Sequence, residues 1–172
     1  MAHKQKPFDP SKACTADDLH HLLNTPDLSP QFFRKFMLHK SGAARCFCRH
    51  HFSQQTKRKL YLTRMEVLHE QFIDERMQDK IGNVVLRTPS RPPKRGWSYI
   101  IILHCCEPHL LTSPVIARCL QRIYDMHTHT VADDKLPRFH LILFHTNQGD
   151  DLDPTQPKDL PRYLPLQPMG YA

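Results

Sequence analysis

Glycine is scarce in this chain: 5 residues in 172, each standing alone. That excludes the glycine-rich loops that cradle nucleotide phosphates, because such loops need several close positions where the backbone can approach the ligand. No apolar stretch reaches the roughly 20 residues a membrane-spanning helix needs. The first ten residues are polar and basic, without the apolar core of a secretory signal, so an intracellular protein of cytoplasm or nucleus is expected. In that setting the six cysteines are expected as thiols or metal ligands rather than disulfides. The His-x-Glu and Pro-Cys-x-x-Cys pattern of zinc deaminases is missing, as are any repeat and any catalytic-cysteine signature, so an enzyme is not the expectation.

What is abundant is proline, 15 residues, and positive charge, 24 Lys and Arg against 17 Asp and Glu. Stiff loops and a net charge of +7 follow, and the charge favours a polyanionic partner: nucleic acid or an acidic protein surface. The hydrophobic fraction of 40% suffices for a core.

Two apolar runs organise the chain. Ser98 to His104 and Phe139 to His145 are short, continuous and largely aliphatic, the pattern of strands buried on both faces. Between them Pro114 opens a helical pattern in which Val115, Ile116, Cys119, Leu120, Ile123 and Tyr124 recur at three- and four-residue spacing. Strand, crossover helix and strand predict a right-handed βαβ unit with parallel strands. The fold class is therefore α/β: a small mixed sheet around two central parallel strands, with helices on both faces. The expected division is a helical N-terminal lobe over 1–52, an α/β core over 53–149 and an acidic, proline-rich tail over 150–172. In the lobe, Thr15 and Ser29 are the expected caps of two short helices. A long helix is predicted over 56–80 from the stripe of Tyr61, Met65, Leu68 and Phe72, with a short strand at Val84 to Leu86. Five prolines after position 153 predict a tail that is polyproline-like or disordered.

Three groups of residues could carry function. Cys46, Cys48 and His50, with His104, Cys106 and His109, offer thiolate and imidazole ligands to a structural zinc ion. Pooling the two clusters would complete a tetrahedral site. The competing reading makes the cysteines small core residues and the histidines surface ones. Arg45, Arg49, Lys57, Arg58, Lys59 and Arg64, interleaved with Phe47, Phe52 and Tyr61, are candidates for a nucleic-acid surface, as are Lys94 and Arg95 in the proline loop, which Arg87 and Arg91 also crowd. An ordinary solvated basic face is the alternative.

The third group rests on a resemblance. Arg118-Cys119-Leu120-Gln121 is similar to the core of the BC-box through which ubiquitin-ligase substrate receptors of the von Hippel–Lindau and lentiviral infectivity-factor types dock on elongin. Leu164-Pro165-Leu166-Gln167-Pro168 is similar to a cullin-selecting box. The resemblance implies an elongin–cullin adaptor with Val115, Cys119, Leu120, Leu164 and Pro165 on its partner surface. The crowded, motif-poor chain also resembles viral accessory proteins. Exposure separates the two roles of the helix: docking needs Val115, Cys119 and Leu120 in solvent, whereas a crossover helix buries them.

Overall fold

The computed structural model describes residues 12–25, 28–40, 42–93, 95–132, 135–145 and 162–165. Four helices come first: α1 (Ala16–Leu23), α2 (Pro30–His39), α3 (Ala43–His51) and α4 (Gln54–Lys59). Then follow β1 (Glu66–Leu68), β2 (Ile81–Pro89), β3 (Trp97–Cys105), α5 (Ser113–Thr130), β4 (Arg138–His145) and β5 (Arg162–Pro165). The sheet has the order β1-β2-β3-β4-β5, antiparallel except for the β3–β4 pair, which is parallel. Strand β3, helix α5 and strand β4 form the expected βαβ unit.

Local chemistry accounts for the helix starts. Thr15 accepts a hydrogen bond from the Asp18 backbone N–H at 3.2 Å, and the Asp18 carboxylate accepts one from the Thr15 N–H at 2.9 Å. This reciprocal box satisfies two backbone donors that the first turn leaves free. Ser29 caps α2 by the single bond it accepts from the Phe32 N–H, with Pro30 at the first helical position.

Period-two alternation then sorts the strand side chains into two cores. Val84, Leu86, Ile100, Ile102, Ile142 and Phe144 face α1–α3 and pack with Leu19, Phe33, Phe36, Met37 and Phe47. Ile81, Val85, Tyr99, Ile101, Leu103, Cys105 and Leu141 face α5 and pack with Cys119 and Ile123. The Tyr99 hydroxyl lies 2.9 Å from His127 Nδ1, joining α5 to β3 inside this second core. On the first face, α2 lies so close to β2 that a Cβ at Gly82 would collide with the Pro30 carbonyl.

Two expectations fail here, the long helix and the exposed docking surface, each for a physical reason. The helix over 56–80 does not form. Leu62, Met65 and Val67 belong to the α1–α3 core, but Leu68, Phe72 and Ile73 belong to the α5 core. One helix cannot serve cores on opposite faces of a sheet, so the chain crosses the sheet edge as β1 instead. Most of the proline-rich tail lies outside the described residues; its described part, Arg162–Pro165, pairs with β4, placing Leu164 opposite Leu141 and Pro165 opposite His140. Proline is tolerated there because an outer strand need not donate on its free side. Leu164 and Pro165 are thus strand residues rather than a free docking peptide. Last, the α5 stripe faces the sheet: Cys119 is buried, and Val115 and Leu120 are half-buried against the same core. The surface that elongin docking requires is occupied by the protein's own sheet.

Two features of this core generate predictions. Asn83 is 1% exposed near the start of β2, on the α5 face, and neither its amide nitrogen nor its oxygen has a hydrogen-bond partner. A buried unsatisfied amide costs about 1–3 kcal/mol. Asn83→Val, which suits a strand, should therefore raise the denaturant midpoint, and a lowered midpoint would show that the amide is satisfied. His51, packed on Phe47 with ring centroids 4.3 Å apart, and His140 are both pushed down to about 4, chiefly by burial. Their folded-state values lie below the unfolded value, so the unfolded chain takes up protons first. Stability should be full above about pH 7 and should fall as pH drops from there towards 4. A thermal melting series across that range, with His140→Phe flattening the decline, checks this.

Candidate nucleic-acid interface

Two cation-rich segments, separate in sequence, are brought together at one end of the sheet. Leu60 forms an isolated antiparallel bridge with Ser90, and the Tyr61 N–H donates to the Pro89 carbonyl at 3.2 Å. Arg91 closes the junction, its backbone N–H donating to the Lys59 carbonyl at 2.8 Å and its Nε to the Leu60 carbonyl at 3.1 Å. The Thr88 hydroxyl donates to the Tyr61 carbonyl at 2.8 Å. These bonds hold 57–64 against the end of β2 and the loop after it.

The Tyr61 ring then gathers two guanidinium groups. Arg91 Cζ lies 4.9 Å and Arg64 Cζ 5.3 Å from the ring centroid, both within cation–π range. Each cation meets the negative face of the ring quadrupole, which offsets part of the repulsion between them. Lys57 is half-buried, while Arg58, Lys59, Arg64, Arg91 and Arg95 are exposed.

The starts of β3 and β4 share this end, since Ser98 pairs with Arg138. Gly96, at φ 125, turns the chain beside the Lys135 side chain, which lies next to the proline loop. His140 records the local field: after burial, the charges of Arg138 and Lys59 depress it further. Lys135 and Arg138 escape a sequence reading because they flank a strand remote from both basic runs. The register of β4 against β3 brings them in.

The other predicted basic residues fit less uniformly. Arg49 is exposed on α3, but Arg45 is half-buried and donates to the Thr63 carbonyl at 3.4 Å, tying α3 to the following segment. Arg45 is thus partly structural. Lys94 lies outside the described residues. Arg87 spends its charge within the sheet, 2.7 Å from Glu66 and 4.9 Å from the Trp97 ring centroid. Stacking of bases on the interleaved aromatics has little support, because Phe47 and Phe52 are buried and Tyr61 already carries two guanidiniums.

The candidate zinc ligands are dispersed. Cys48 is fully buried in the α1–α3 core, where burial drives its thiol far up. Cys46 is half-buried and His50 exposed on the same helix. His104 is 0% exposed, its ring centroid 4.9 Å from both Phe33 and Phe144. Cys106 donates to the Leu28 carbonyl at 3.4 Å, and His109, exposed, lies 3.4 Å from Glu107. Among the described residues, no three His, Cys, Asp or Glu side chains converge as a metal site would require. Among the same residues, no helix is long and apolar enough to cross a membrane.

Comparison with known proteins corrects the two resemblances. The BC-box likeness drew on a few residues of α5, and the viral-accessory likeness on general character. A family match across residues 30–152 replaces both, so neither the elongin–cullin adaptor nor the viral accessory protein stands. No curated protein and no solved structure matches the chain. The matching model takes in α2 through β4, the whole βαβ unit and the cation-rich end with it, and by that match the chain belongs to the family described as "Putative transposase, YhgA-like".

Proposed function

We propose that this protein binds DNA through the cation-rich end of its sheet, gripping the phosphate backbone without reading base sequence. The observation that carries the reading is the convergence of 57–64 with the loop after β2 and with Lys135 and Arg138. Folding brings these like charges together, and like charges repel. A surface that collects cations at such a cost is well matched to a polyanion, which removes the repulsion on binding. The family's description, with its reference to transposition, supports DNA as that polyanion.

The expected chemistry is electrostatic. Arg58, Arg64 and Arg91 offer planar donor forks suited to two phosphate oxygens, and Lys57 and Lys59 act as mobile point charges. Affinity should then fall steeply with salt, with a log–log slope of about −0.9 for every phosphate neutralised. The full chain, titrated against a labelled random-sequence duplex by fluorescence anisotropy, tests the proposal. Lys57→Glu, Arg58→Glu and Lys59→Glu combined should abolish binding at moderate salt and leave the melting temperature almost unchanged. Arg76→Glu, exposed on the turn Glu75–Met77 that precedes the opposite end of β2, should leave binding intact. Wild-type protein that shows no binding at low salt, or equal loss from both variants, would sink the reading.

A further inference from the structure

At the cation-rich end, four stretches of chain stand side by side. Leu60 bridges to Ser90, the Ser90 N–H donates to the Gly96 carbonyl at 2.9 Å, and Ser98 pairs with Arg138. The Ser90 and Ser98 hydroxyls, 2.7 Å apart, add a side-chain bond between the middle two. Strands β2 and β3 are thus a ribbon closed by a short loop, in which Arg91, Pro92, Pro93 and Arg95 are exposed. Cations border this ribbon on both sides. Lys59 and Arg64 stand beyond β2, held there by the bonds of 59–61 to Pro89 and Arg91. Lys135 and Arg138 stand beyond β3, with the Lys135 side chain 3.8 Å from where a Cβ on Gly96 would lie.

We propose that this ribbon end lies in the major groove of B-form duplex DNA, with the loop between the two phosphate rows and the flanking cations on one row each. The inference rests on the DNA-binding reading above and adds the form of duplex that is gripped. Spacing decides between the grooves. Neighbouring strands lie about 4.8 Å apart, so the three steps from Leu60 to Arg138 set the outer backbones about 14 Å apart. That brackets the major groove, about 12 Å wide, which admits a two-stranded ribbon; the minor groove, about 6 Å wide, is too narrow for one.

Composition fits the same place. Pro92 and Pro93 have no backbone N–H, so the loop fills space there without offering donors to base edges. Leu136, beside Lys135, is a large apolar side chain left 59% exposed. A phosphate row offers it no apolar contact, whereas the major groove carries the thymine methyl groups. Double-stranded RNA is a poor fit, because the major groove of the A form is deep and narrow.

The test uses the full chain and duplexes of one mixed sequence that includes A·T runs: unmodified DNA, DNA with glucosylated 5-hydroxymethylcytosine replacing cytosine, and RNA. The glucose fills the major groove without changing the backbone charge. The glucosylated and RNA duplexes should each bind at least about tenfold more weakly than unmodified DNA. Netropsin, which occupies the minor groove, should leave binding to unmodified DNA almost unchanged. Lys59→Ala and Lys135→Ala should each make the log–log salt slope shallower by about 0.9, one phosphate lost on either side of the groove. Leu136→Ser should weaken binding and leave that slope as it is. Equal binding of the glucosylated or RNA duplex, displacement by netropsin, a slope that only Lys59→Ala changes, or wild-type affinity in Leu136→Ser would each overturn the inference. In all of those outcomes DNA is still bound, so the backbone grip stands. No binding of any duplex at low salt sinks that reading, and this one with it.

Discussion

Everything in this molecule depends on β3 being covered on both faces. From Ser98 to Cys105 every residue is buried, with hydrogen-bonded neighbours on each side. Alternation sends Ile100, Ile102 and His104 into one core and Tyr99, Ile101, Leu103 and Cys105 towards the other. Leaving either set in water would forfeit roughly 1.5–3 kcal/mol for each large side chain. The helices are therefore placed by the strand: α1–α3 below it and α5 above. The same demand commits the apolar stripe of α5 and excludes its use as a docking surface for another protein.

Much of this was legible in the residues themselves. The two aliphatic runs and the pattern between them predict the βαβ unit, and Thr15 and Ser29 predict their caps, because these signals are local and unshared. The stripe from Tyr61 to Phe72 misleads for the opposite reason. Helical spacing there arises from two successive sets of contacts on different faces of the sheet, and periodicity cannot tell one core from two. Arg162–Pro165 escapes notice because only its pairing with β4 marks it as a strand, and the three residues between Pro161 and Pro165 carry little pattern.

The candidate interface was half legible. Composition gives the charge, and the runs 45–64 and 87–95 give its main sources. That these runs meet is decided by the Leu60–Ser90 bridge and the bonds of Arg91, which no local pattern encodes. The cysteine and histidine clusters show the converse. Close spacing in sequence suggested shared ligands, but helix and strand geometry sends Cys46 and Cys48 to differently exposed positions and turns His104 into an aromatic core.

The seat of Arg64 and Arg91 on Tyr61 has an entropic consequence. A free arginine on a surface samples many rotamers, and freezing it on a partner costs about 0.5–1.5 kcal/mol. At this end the ring and the backbone bonds of Arg91 have already narrowed that choice before any partner arrives. Lys57, Arg58 and Lys59, on a helix of only six residues, carry no such restraint in the contacts seen. The surface thus combines a stiff pair of planar donors with a mobile fringe of charge: the fringe can attract an approaching polyanion in many orientations, and the pair admits few.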